Sequence, residues 1–132
     1  MKLKLLLTII CVSFLMACGG TKYSGTMTRQ VGPEKTEQKA FAALKKDSEK
    51  EVTVTISDAD SINPTFLSKC PALKFTKEES MWMAADQPCS LFKDNDSKFT
   101  GTITFDDKKI HLSGNLIEGT RYYFHEFDGT TK

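Results

Sequence analysis

Residues 99 to 127 read FTGTITFDDKKIHLSGNLIEGTRYYFHEF, three alternating apolar and polar stretches separated by short polar turns. Side chains of a strand point to opposite faces in turn, so alternation at period two builds a strand with one buried face. Turns this short leave room only for antiparallel neighbours. Read with a turn at Asp106-Asp107-Lys108-Lys109, the register sets Phe105 opposite Ile110, Ile103 opposite Leu112 and Gly101 opposite Gly114. Read with a three-residue loop at Ile117-Glu118-Gly119, the next hairpin sets Leu112 opposite Phe124 and Gly114 opposite Tyr122. The two adjacent glycines either receive the Tyr122 ring or mark a bend, and glycine bends curl a sheet towards a barrel.

Other segments carry the same signature. Residues 19 to 31 begin small, then set Tyr23, Gly25 and Met27 against Ser24, Thr26 and Thr28, which predicts a first strand; Tyr23-Ser-Gly-Thr-Met-Thr28 also echoes Phe99-Thr-Gly-Thr-Ile-Thr104 in pattern. Glu51 to Asp58 alternates Val52, Val54 and Ile56 with threonines, a β-branched pattern that fits a pleated surface. Ala72 to Lys77 and Ser80 to Ala85 add two shorter strands, the second without alternation at Met81-Trp82-Met83. Asp58 to Ser68, with Asn63-Pro64, reads as a loop. The stretch from Pro33 to Lys50 differs. It is rich in Glu, Lys and Ala, Phe41 and Leu44 lie one turn apart, and Pro33 suits a helix N-terminus, so it predicts a short surface helix or a loop.

The opening is unlike the rest. Met1 to Lys4 is basic, and Leu5 to Met16 is apolar save Thr8 and Ser13. That run is shorter than the roughly 20 residues needed to cross a bilayer, and it matches the order of parts in a secretory signal. It ends in Leu15-Met16-Ala17-Cys18, which resembles the lipobox of bacterial lipoproteins. The resemblance implies a cleaved signal helix over 1–17, diacylglyceryl and further acyl groups (palmitate among them) on Cys18, and a lipidated linker over 18–22 ahead of one β-rich domain over 23–132. Gly19 follows the cysteine; enterobacterial lipoproteins held at the inner membrane tend to carry Asp there, so the resemblance implies the outer membrane.

With Cys11 in the removed segment and Cys18 acylated, Cys70 and Cys89 remain. In an exported protein one leftover pair predicts one disulfide. A metal or redox site is the competing reading, but no Cys-x-x-Cys occurs and neither histidine lies near either cysteine in sequence.

Little else speaks of chemistry. Without Lys2 and Lys4 the chain has 16 basic and 17 acidic residues, against 18 and 17 overall, so charge gives no case for a nucleic-acid partner. The register above puts His111 and His125 side by side on the outer face, where two imidazoles can share a metal, but a third ligand is missing and exposed polar residues are the simpler reading. Asp94-Asn95-Asp96-Ser97 begins like a calcium loop and then places Phe99 where glycine is required. Asp58 and Asp60 lack any group to organise them as an acid and base. Trp82, between two methionines, suits either a core plug or an adaptable apolar groove. Arg121 and Tyr123 are expected outward, and with Trp82 they form the candidate ligand-binding set.

The sequence thus predicts an all-β, mainly antiparallel domain, a small barrel or two-layer sandwich with one surface helix. It is expected to be tethered in the cell envelope by Cys18, with a non-enzymatic structural or binding role, no cofactor and no metal, and a protein or glycan partner. A carrier of an apolar ligand and an envelope enzyme are the alternatives. Small β-barrel lipoproteins that inhibit lysozymes fit the same general outline, without a transferable motif.

Overall fold

The computed structural model describes residues 20–58, 70, 72–89 and 97–131. The expected signal segment with Cys18, the expected loop at Asn63-Pro64, Asp60 and Asp94 to Asp96 lie outside these residues. Eight strands follow one another up and down: β1 Thr21–Val31, β2 Glu34–Lys46, β3 Glu51–Asp58, β4 Leu73–Glu78, β5 Met81–Pro88, β6 Lys98–Phe105, β7 Lys109–Glu118 and β8 Arg121–Thr130. Each pairs antiparallel with the next, and β8 returns to β1 through Ser24↔Thr130 to Gln30↔Phe124, which closes a barrel. Closure gives both outer strands of the meander a partner and so removes the exposed edge that a small sheet would otherwise carry.

One face of every strand supplies the core. Tyr23, Met27, Leu73, Phe75, Phe99, Ile103, Leu112, Leu116 and Phe127 are all buried in the interior. An eight-stranded barrel is just wide enough for side chains to fill it. The predicted pairings of β6 with β7 hold throughout, including Gly101↔Gly114. That glycine pair receives Phe99. A Cβ at Gly114 would lie 2.5 Å from the Phe99 Cζ, and one at Gly101 would lie 2.7 Å from it. Phe99 in turn meets the edge of Phe75, with centroids 6.2 Å apart.

Two expectations are corrected. The segment after Pro33 is strand β2, not a helix. Ala40, Ala42 and Leu44 alternate into the core, and Phe41 points out, 46% exposed. Helix preference amounts to tenths of a kcal/mol per residue. Here it yields to two ladders, to β1 and to β3, without which the ring stays open. The charged half, Glu34 to Lys39, pairs with β1 alone among the described residues.

The β7–β8 turn is also shorter than expected. It holds two residues, Gly119-Thr120, with Glu118 opposite Arg121 and Gly119 at φ 61°. The pairing shifts by three, so Leu112 faces Phe127 and Gly114 faces His125. An odd shift exchanges the two faces of a strand. Tyr123 is therefore buried and Tyr122 is 63% exposed, the reverse of the predicted arrangement, and His125 lies inside the barrel rather than beside His111.

The strand order defines two ends. One, the terminal end, carries Gly20, Thr131, the 47–50 and 106–108 connections and the Glu79-Ser80 turn. The other carries the Gly32-Pro33 and Gly119-Thr120 turns and the Cys70–Cys89 disulfide, S–S 2.04 Å. The disulfide joins the chain just before β4 to the chain just after β5. Between these strands only Thr76, Lys77 and Glu78 find partners, and a bulge between Ala84 and Gln87 re-aims β5. The gap is bridged by the Lys74 backbone N–H, which donates to Gln87 Oε1 at 3.3 Å, and by the disulfide beyond it.

Candidate functional site

The candidate ligand-binding residues do not meet. Trp82 belongs to the terminal end of β5, whereas Arg121 and Tyr123 begin β8 at the other end. Arg121 is exposed at the rim, and Tyr123 turns inward with only 9% of its surface accessible.

At the terminal end Trp82 is half-buried and packs on Phe105, centroids 5.5 Å apart. Lys77, its cross-strand partner, holds its ammonium 5.7 Å from the indole centroid, within cation–π range. Together with Lys46, Ser48 and Glu49 these residues line an open recess of about 490 Å³. Across the same mouth the Tyr23 hydroxyl donates to the Asp106 carbonyl at 2.8 Å, which ties the 106–108 turn to β1. Burial raises the Tyr23 pKa, with the nearby charges of Asp106 and Asp107 adding to it. The Asp106 carboxylate accepts the backbone N–H groups of Lys108 and Lys109 at 2.7 and 2.8 Å, and these bonds hold its pKa below the usual value. Trp82 thus closes the barrel mouth as a plug does, with one side open to the recess.

Inside, His125 is fully buried. Its Nδ1 lies 3.0 Å from the Tyr123 carbonyl, a contact that places the hydrogen on Nδ1. Its Nε2 has no hydrogen-bonding partner among the described residues. Burial pushes the pKa down to about 4; the Arg29 charge adds to this, and the Tyr123 bond opposes it.

Outside, on β7, His111 Nδ1 stands 2.6 Å from Asp128 Oδ1 and Nε2 is 4.0 Å from Glu126 Oε2. Thr104, Phe105, Lys109 and Asp128 line an open recess of about 510 Å³ beside it. An imidazole oriented by a carboxylate can exchange hydrogen bonds with a polar ligand. Sequence reading missed this pair because it rests on the β7–β8 register, in which Asp128 faces His111. Among the described residues no three His, Cys, Asp or Glu side chains gather as a metal site.

Architecture and sites together define a closed eight-stranded antiparallel barrel with a filled interior and small recesses at its rim and outer wall. Comparison with known protein families, curated proteins and solved structures finds no match to this chain.

Proposed function

We propose that the protein is a lipid-anchored cell-envelope protein whose barrel has a non-enzymatic binding or structural role. The observation that carries this reading is Leu15-Met16-Ala17-Cys18 at the end of a basic-then-apolar opening segment. Two or three acyl chains on one cysteine make release from a membrane very slow, since each buried methylene contributes about 0.8 kcal/mol. The Cys70–Cys89 pairing supports the reading, because disulfides persist in oxidising compartments outside the cytosol. The packed interior favours contacts through the outer wall and rims over a ligand carried within: Tyr23, Met27, Phe75, Phe99 and Phe127 are all at or near zero exposure. A partner in the envelope, protein or glycan, is the expected occupant. Metabolic labelling with a fatty acid tests the anchor: the wild-type protein is expected to take up the label in the membrane fraction, and Cys18→Ala is expected to take up none. A wild-type protein without label, or equal labelling of both, would overturn the reading.

A further inference from the structure

The anchor also orients the barrel. Resting on the lipid-anchor reading above, we infer that the terminal end of the barrel lies against the lipid headgroups, with Met81, Trp82 and Phe105 as its contact residues.

Cys18 precedes Thr21, the first residue of β1, by three residues. A chain extends by at most about 3.6 Å per residue, so the backbone at position 18 can lie no more than roughly 11 Å from the start of β1. An acyl cysteine sits at headgroup depth, and so short a tether leaves the rim nearest β1 no room to stand off. That rim belongs to the terminal end; β5, with Met81 and Trp82, lies across the ring from β1, so it is the surface of this end that seats the far side as well. Met81 is 52% exposed beside the Glu79-Ser80 turn. Trp82 and Phe105 pack against each other at a tilt in the mouth, and Lys77 and Lys46 flank them. Tryptophan favours the boundary between water and hydrocarbon, where its ring is apolar and its N–H still finds a partner. Lysine stems lie along apolar surface while their ammonium groups reach phosphate. Asp47, Glu49, Glu78, Glu79, Asp106 and Asp107 share this end, and their carboxylates hold the contact at headgroup depth rather than deeper. The opposite end, with the disulfide and Tyr122, then faces away from the membrane and presents the rim to partners.

Trp82 is the single tryptophan, which makes the orientation readable. The full-length acylated protein, purified from membranes, is reconstituted into phosphatidylcholine–phosphatidylglycerol vesicles carrying doxyl groups at shallow acyl positions. A second protein, W82F with Y122W, moves the one indole to the far end; Tyr122 is 63% exposed, so the larger ring is tolerated. Trp82 is expected to emit at shorter wavelength than in detergent-free buffer and to be quenched by shallow doxyl groups, as an indole at the membrane interface is. The indole at position 122 is expected to change little and to remain open to aqueous iodide. Unchanged Trp82 emission in protein that floats with the vesicles and carries acyl chains by mass spectrometry would overturn the orientation and leave the anchor standing. Protein that neither carries acyl chains nor floats would overturn both.

Discussion

Glu79 adopts φ 58° in the two-residue turn between Glu78 and Met81. The equivalent positions in the other two-residue turns are Gly32 at φ 58° and Gly119 at φ 61°. A side chain in the left-handed region costs about 1–2 kcal/mol, and glycine returns part of the gain as unfolded-state freedom. Glu79→Gly is therefore expected to stabilise the barrel by up to about 1 kcal/mol, read as a higher urea midpoint at unchanged m-value. His125 gives the pH dependence. Its folded pKa of about 4 lies below the 6.5 of a free imidazole. The unfolded chain then takes up the proton first as pH falls. The stability that neutral His125 permits is complete above about pH 6.5 and declines towards pH 4, by roughly 3 kcal/mol in total. Replacement by Leu removes the proton-binding site and is expected to flatten that limb. Asp106, with its pKa lowered, loses its contribution only at more acidic pH, so the two limbs separate.

At the scale of elements, the β6–β7 hairpin was legible in the sequence because its apolar–threonine alternation and four-residue turn admit one register. The β7–β8 hairpin was not. Ile117-Glu118-Gly119-Thr120 accommodates a turn of two or of three residues, and a glycine with positive φ fits either. That ambiguity moved Tyr123 and His125 to the wrong faces and hid the His111–Asp128 pair. Strand β2 was missed for a different reason: Glu, Lys and Ala favour helix locally, and only the closing ladders, which pair residues far apart in sequence, overrule them. The glycine pair is legible in the sequence as a gap or a bend in the apolar face; the ring that lies against it is Phe99, not Tyr122. Gly114→Ala would drive a methyl against Phe99 and the Thr100 carbonyl, at 2.5 and 2.6 Å. A loss of about 2 kcal/mol or more is expected in denaturant unfolding. The β4–β5 seam has three paired positions and relies on its disulfide. Replacing Cys70 and Cys89 by Ser releases a cross-link over a 19-residue separation. The expected cost is about 3 kcal/mol in the chain-entropy model, with amide exchange rising first in β4 and β5.

For the whole molecule, alternation was enough to establish an all-β antiparallel fold; closure was not, because the strand that completes the ring was the one disguised by its composition. Trp82 lies at one end of the barrel and Arg121 and Tyr123 at the other for the same reason, since which end and which face a residue occupies depends on a count of strands and on one turn. The proposed anchor rests on the resemblance of Leu15-Met16-Ala17-Cys18 to a lipobox. Intact mass spectrometry of the protein extracted from its native membrane tests that most directly. The account predicts a chain beginning at Cys18 and heavier by two or three acyl groups, with the Cys70–Cys89 bond intact. A chain that retains Met1, or one with a free Cys18 thiol, would contradict it.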